Sequence, residues 1–244
     1  MLPGDVETSD QAVMMRRKIL TTLTMMLACA VGEARTFAAE STATPVRQGP
    51  KVLKPGEHGV GRMVDDARFV DLAGHEHSLA ALCRERFVVV AQTSTSCPLS
   101  QKYLPSLVDM AKEFAPRGVR FVLVNTMTTD DASVMKEAAA RFAEWAKDDG
   151  VIYVPDPKSA LARAVGAATT TDVVVLDAAR TVVYHGAVDD QYGFGYTKDR
   201  PQSHYLQDAL ASLMSGKTPE VAATDARVVR WMSLRRSCRP SQAT

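Results

Sequence analysis

Apolar and polar positions change their period in the middle of the chain, and this change predicts the local fold. The apolar, β-branched run Phe87–Ala91 is typical of a buried strand. Polar residues fill Gln92–Ser96 as a turn. Apolar residues then recur at helical spacing, at Leu104, Leu107, Val108 and Ala111. A second apolar run, Val119–Val124, follows Gly118, so the pattern predicts a strand, a helix and another strand.

The same patterns predict the other elements on both sides of this unit. In chain order they are a hairpin arm at 68–72, a short helix at 79–83, a long helix capped by Asp130 or Asp131, a strand at 151–154, a helix at 160–165, a hairpin from 173–176 and 181–184, and a helix at 204–214. Strands that alternate with helices indicate parallel crossovers, and the late hairpin makes the sheet mixed. The sequence therefore predicts an α/β, three-layer sandwich with a mixed central sheet.

The first 39 residues have the order of a secretory signal peptide. A basic segment, Met14–Lys18, precedes the apolar run Ile19–Gly32, and small residues follow around Ala38. The apolar run is too short to cross a bilayer comfortably. We expect cleavage near Ala38, a true start at Met14 or Met15, and a periplasmic or secreted location, where thiol–disulfide chemistry is usual.

Composition divides the remaining chain into three parts. Residues 40–55 are rich in Ser, Thr and Pro and predict a disordered linker, residues 56–217 form the predicted domain, and residues 218–244 form a basic tail. The 29 Lys and Arg nearly balance the 28 Asp and Glu, which argues against a nucleic-acid partner held by bulk charge. Membrane contact is expected only through the signal peptide or through lipidation at Cys29.

The four cysteines are Cys29, Cys83, Cys97 and Cys238. They form neither a CxxC pair nor a zinc-ligand spacing, so we expect no disulfide framework, no metal and no cofactor. Cys83 lies among leucines and is predicted to pack in the core. Cys238 could resolve Cys97 if the tail folds back, or it could be an exposed cysteine without a role.

Cys97 is the predicted nucleophile. It stands where the strand and turn pass into a helix, with Pro98 at the first helical turn. Free backbone N–H groups and the positive end of the helix dipole lie at this position. Both favour the thiolate, which is the form that attacks disulfides and peroxides.

The chain resembles the redoxin branch of the thioredoxin-like superfamily, which contains alkyl hydroperoxide reductase/thiol-specific antioxidant proteins and thioredoxin-like oxidoreductases. The resemblance covers about residues 56–220 and is carried by Thr95-Ser96-Cys97-Pro98, by Pro105, and by Val173–Asp177. It implies a thioredoxin-like fold, a nucleophile at Cys97 and a helix-kinking proline at Pro105. Gly186–Tyr192 is similar to a secreted subgroup of redoxin domains.

Four positions depart from the patterns of this branch. Ser100 stands where thioredoxins have the resolving cysteine, and its hydroxyl could bond a Cys97 thiolate. Val90 and Ser94 stand where peroxidases have proline and threonine, although Ser94 could still hold a peroxide oxygen. Thr171 replaces the proline that precedes the hairpin, and it is predicted to line the wall opposite Cys97.

The predicted function is a periplasmic thiol-dependent oxidoreductase that reduces a disulfide or a peroxide through Cys97. An external thiol reductant or a periplasmic redox protein is the expected partner, because no second cysteine lies beside the first. A non-catalytic binding or adaptor module is the alternative, favoured by the substitutions at Val90, Ser100 and Thr171. Metal delivery by Cys97 with a histidine is a third hypothesis; His75 and His77, which could chelate a metal as an HxH pair, are predicted to be surface loop residues.

Overall fold

The computed structural model describes residues 49–84, 86–140, 151–193 and 195–226. The predicted signal peptide, Cys29, most of the predicted linker, and the tail from residue 227 with Cys238 lie outside the described residues. The second half of the predicted long helix, at 141–150, lies outside them as well.

A five-stranded mixed sheet forms the centre of the fold. Its strands are β3 (Phe87–Thr93), β4 (Val119–Asn125), β5 (Val151–Pro155), β6 (Val173–Asp177) and β7 (Val182–Gly186), in the spatial order β5-β4-β3-β6-β7. Strand β3 runs parallel to β4, and β4 runs parallel to β5. Strand β6 is antiparallel to both β3 and β7. The predicted mixed sheet is therefore confirmed.

Helices cover both faces of this sheet. They are α1 (Leu79–Leu82), α2 (Pro98–Phe114), α3 (Ala132–Ala140), α4 (Ala160–Val165) and α5 (Tyr205–Met214). Alternate residues of β3 point to opposite faces: Val89 shares a core with α2 and α5, and Val90 shares one with α1 and α4. Burial on both faces explains why β3 is a continuous apolar run, and it confirms the three-layer arrangement.

Two small hairpins and two 3₁₀ turns complete the described elements. The hairpins are β1 (Arg68–Val70) with β2 (Glu76–Ser78), and β8 (Tyr192–Gly193) with β9 (Tyr196–Thr197); the 3₁₀ turns are Gly56–His58 and Ala115–Arg117. The predicted cap is present, since the Ser78 side chain accepts from Ala81 N at 3.1 Å. Among the helices of the described ranges, none combines the length and apolar character needed to cross a bilayer.

The folded domain extends past the boundaries predicted at residues 55 and 218. Leu53 N donates to Ala223 O, and Asp225 N donates to Lys51 O, both at 2.9 Å. Ala223 also bridges to His185 on the outer strand β7. The two segments thus cover the exposed edge of the sheet, where unpaired backbone groups would otherwise remain. The pairing uses backbone atoms, which leave no side-chain pattern in the sequence, so the predicted boundaries stop short of it.

We expect Gly186→Ala to destabilise the fold by about 1–3 kcal/mol, because β7 and residue 224 approach too closely for a side chain. A Cβ at Gly186 would lie 2.8 Å from the nitrogen and 2.9 Å from the carbonyl oxygen of Thr224. Urea unfolding measures the effect. Gly56→Ala is the control, since a Cβ there meets no atom within 4 Å. Equal stability of the two variants would disprove the close approach.

Candidate functional site

Cys97 lies at the position that the sequence predicts, as the N-terminal cap of α2. Its backbone is extended, with φ −92° and ψ 112°, and Pro98 is the first helical residue. Gln101 N donates to Cys97 O at 3.0 Å, which closes the first helical turn. The residue is only 8% exposed, so an attacking or attacked group has a narrow approach to the sulfur.

A threonine hydroxyl contacts the sulfur from the opposite wall. Thr170 Oγ1 donates a hydrogen bond to Cys97 Sγ at 3.3 Å. The sequence predicts Thr171 at this wall, and the structure corrects the position by one residue. Thr171 is buried beside Thr170, and no described peptide bond is cis. Thr170 is 1% exposed, so its hydroxyl faces the sulfur in a place that bulk water does not fill.

The carboxylate of Asp130 holds the turn that carries Cys97. It accepts hydrogen bonds from Ser94 Oγ at 2.9 Å, Thr95 N at 2.7 Å, Ser96 N at 3.4 Å and Asn125 Nδ2 at 2.9 Å. Burial raises the pKa of Asp130, but the hydrogen bonds together outweigh burial and lower the pKa to about 2. A fixed negative charge therefore anchors the turn at neutral pH.

Ser94 has a different role from the one predicted. Its Oγ donates to Asp130 and accepts from Ser96 N and Cys97 N, both at 3.1 Å. A hydroxyl has one proton and two lone pairs, so this set of bonds uses all of them. The prediction that Ser94 holds a peroxide oxygen is thus wrong for this arrangement, since its proton is already engaged.

Ser100 also braces the turn. Its Oγ accepts a hydrogen bond from Ser94 N at 2.8 Å, and the residue is 2% exposed. Between these two described residues, the structure shows no hydrogen bond from the Ser100 hydroxyl to Cys97 Sγ, and the bond of Ser100 is to the turn backbone. Ser94 and Ser100 therefore bond to the turn that carries the cysteine. Among the described residues, the hydroxyl that donates to the sulfur belongs to Thr170.

Two residues of this site, Asp130 and Thr170, have no predicted site role. The sequence predicts Asp130 or Asp131 as a helix cap, and the cap is Asp131, which accepts from Ser133 N and Val134 N. A usable signal was present, since the loops after the parallel strands β3 and β4 meet at one sheet edge. For Thr170, the run of three threonines at 169–171 hid which hydroxyl turns inward.

The other described cysteine, Cys83, differs sharply from Cys97. It is fully buried, and burial raises its pKa to about 11. This environment disfavours the thiolate and agrees with the predicted core packing. Both cysteines are free thiols.

Four of the described histidines are engaged with neighbouring side chains or backbone. His75 Nδ1 and His77 Nε2 contact Asp71 Oδ2 at 3.1 and 2.9 Å, within the β1–β2 hairpin. His185 is buried on β7 and stacks on His58, with ring centroids 4.1 Å apart. Within the described ranges, no three His, Cys, Asp or Glu side chains converge on a common point suitable for a metal ion.

A cavity of about 210 Å³ lies behind the turn, between α2 and α3. Thr95, Ser100 and Leu104 form one wall, and Val134 and Tyr153 form the other. Cys97 is not part of its wall. The cavity therefore borders the turn but does not open onto Cys97.

The depressed pKa of Asp130 predicts a specific pH dependence of stability. Its contribution is complete above the ordinary value of 3.8 and is lost as pH falls towards 2. Asp130→Asn should therefore lower the free energy of unfolding at pH 7 by roughly 2 kcal/mol and flatten the acid limb of the profile. Denaturant unfolding between pH 2 and pH 7 measures it. Asp109→Asn, at an exposed site on α2, is the control. Parallel profiles for the wild type and Asp130→Asn would refute the assigned role.

Comparison with known proteins agrees with this fold. A crystal structure of an uncharacterized conserved protein from Geobacillus kaustophilus aligns with a TM-score of 0.60 and 21% identity, over 74% of this chain and 93% of that one. A hypothetical protein, SMc02350 from Sinorhizobium meliloti 1021, aligns with a TM-score of 0.57 and 25% identity, over 72% and 93%. No curated protein matches the chain significantly.

The match to a family model covers more than half of the sequence. The Redoxin model matches residues 60–199, which include β3, Cys97, Asp130 and Thr170. Members of this family are thioredoxin-like proteins that react through thiols with reductants and with peroxide or disulfide substrates. The chain belongs to the redoxin family of thiol oxidoreductases.

Proposed function

We propose that this redoxin is a periplasmic thiol–disulfide oxidoreductase that acts through Cys97 alone, with an external thiol completing the cycle. The observation that carries the proposal is the Cys97 sulfur at the start of α2 with the Thr170 hydroxyl donating to it at 3.3 Å. The helix terminus and this donor both stabilise negative charge on sulfur. The periplasmic location is supported by the signal-peptide pattern of the first 39 residues.

The cycle has two exchange steps. The Cys97 thiolate attacks one sulfur of a substrate disulfide, forms a mixed disulfide, and releases the other half as a thiolate. An external thiolate then attacks the mixed disulfide and releases Cys97 as a thiolate with formation of a new disulfide. Each step breaks one S–S bond and forms one, so neither step needs another oxidant or reductant. In both steps, Thr170 is placed to stabilise the charge on Cys97.

Disulfide is favoured over peroxide as substrate because of the bonds at Ser94. Peroxide cleavage needs a donor that holds the peroxide oxygens beside the sulfur. Ser94 is the predicted candidate for this role, but it gives its proton to Asp130, and the Thr170 hydroxyl is engaged with the sulfur itself. Val90, in place of the proline of the peroxidase pattern, lies buried in the core and makes no polar contribution.

An external thiol is needed because the described residues supply no resolving partner. Ser100 occupies the adjacent position, and Cys83 is enclosed in the core. A hydroxyl cannot form a disulfide, so the mixed disulfide cannot be resolved from within α2. Cys238 would offer an internal route, and the experiment below distinguishes it.

The alternative is a binding module that has kept the redoxin fold without turnover. The small exposed fraction of Cys97, 8%, is the observation that favours it, because a buried sulfur meets substrates slowly. The polar surroundings of the sulfur favour the enzyme over the module. Apolar walls would be expected of a cysteine that serves only as packing.

Mass spectrometry of the mature protein after exposure to glutathione disulfide, and separately to hydrogen peroxide, tests the proposal. We expect one glutathionyl adduct, located on Cys97, that a fresh thiol removes. It should persist in Cys83→Ser and Cys238→Ser and be absent in Cys97→Ser. An internal Cys97–Cys238 bridge would contradict the single-cysteine cycle. Reaction with peroxide and not with glutathione disulfide would contradict the choice of substrate. No reaction at Cys97 with either reagent would reject the oxidoreductase and support the binding module.

A further inference from the structure

We propose that Asp172 is a positioning residue for Cys97, acting through Thr170. Its carboxylate holds the turn at 168–172 in the form that directs the Thr170 hydroxyl to the sulfur. This inference deepens the proposed function, since it takes Cys97 as the reacting thiol.

The contacts of Asp172 fix the turn at both ends. Its Oδ2 accepts hydrogen bonds from Ala168 N at 2.5 Å and from Thr169 N at 2.9 Å. Its backbone oxygen accepts from Gln92 N at 2.8 Å, which continues the β3–β6 ladder. Strand β3 is the strand that leads to Cys97. Thr170 therefore lies between two points that are both tied to Asp172, and its hydroxyl has little freedom to leave the sulfur.

The burial of Asp172 makes this role specific. The residue is 4% exposed, and a buried carboxylate is unfavourable unless hydrogen bonds satisfy it. The two amide donors do so, and bonds to a charged acceptor are stronger than neutral ones. From β7, His185 Nε2 faces the same oxygen at 4.0 Å, beyond hydrogen-bond distance.

Position 171 explains why the turn needs such a restraint. Proline would fix its own φ there, whereas threonine leaves the backbone free to rotate. Thr171 thus lacks the internal restraint that a proline supplies, and the Asp172 carboxylate provides a restraint from outside. Loss of the carboxylate should release the turn without removing any group that touches the sulfur.

A double-mutant cycle between Asp172→Asn and Thr170→Val tests this coupling. The readout is the alkylation rate of Cys97 at pH 7 with iodoacetamide, which is uncharged, followed by peptide mapping. Thr170→Val removes the donor and should slow alkylation by about fivefold. Asp172→Asn should slow it by a similar factor in the wild type. In the Thr170→Val background, Asp172→Asn should not slow alkylation further, because its effect is transmitted by the Thr170 hydroxyl.

Loss of a negative charge near the sulfur would by itself speed alkylation, and equally in both backgrounds. An equal effect of Asp172→Asn in the two backgrounds, in either direction, would therefore overturn the proposal, and so would no effect in the wild type. If Asp172→Asn does not fold, Asp172→Ser, whose shorter side chain gives up the carboxylate that accepts from Ala168 N and Thr169 N, enters the same cycle.

Asp177→Asn is the matched control at the other end of β6. Its carboxylate likewise accepts from two turn amides, Ala179 N at 2.9 Å and Thr181 N at 2.7 Å, but that turn lies away from Cys97. We expect an unchanged alkylation rate. A similar slowing in Asp177→Asn would show a general loss of structure and overturn the positioning role. The double-mutant cycle needs no catalytic turnover. It can therefore fail while glutathionylation of Cys97 succeeds, and it can succeed while glutathionylation fails.

Discussion

The carboxylate of Asp130 is the constraint on which the site depends. It lies after β4, and it accepts hydrogen bonds from the turn after β3, the neighbouring parallel strand. The free N–H groups of that turn would otherwise require water or a ligand. Because the carboxylate stays ionised far below neutral pH, the turn is held in one form and Cys97 begins α2 in a fixed place. The sheet thus determines the location of the thiol, and the carboxylate determines its orientation.

The contrast between the two described thiols shows what these surroundings accomplish. Cys83 and Cys97 are both largely buried, so the exposed fraction alone does not explain the difference between them. Cys83 lies in an apolar core, where burial raises its pKa. At Cys97 the Thr170 hydroxyl donates to the sulfur, and the residue's own backbone N–H donates to Ser94 Oγ. The two thiols therefore differ in the polarity of the groups that surround the sulfur.

Much of the fold was predictable because it depends on local pattern. The apolar run of β3, the cap at Ser78 and the stop at Gly118 each carry their signal in a few adjacent residues. The position of Cys97 was predictable for the same reason. The roles of Asp130 and Thr170 were not, because both reach the turn or the sulfur from distant loops. Ser94 was correctly placed and wrongly assigned, since its role depends on which partner takes its single proton.

The central claim is that Cys97 is held at the start of α2 as a reachable thiol beside a hydroxyl donor, whereas Cys83 is enclosed in the core. The most direct measurement is the iodoacetamide alkylation rate of Cys97 from pH 4 to pH 10, with Cys83 of the native protein and Cys97 of the urea-unfolded protein as internal references. The account predicts that native Cys97 is alkylated at neutral pH, while Cys83 stays protected until the protein unfolds. A native Cys97 that reacts no faster than Cys83 at every pH would contradict the account.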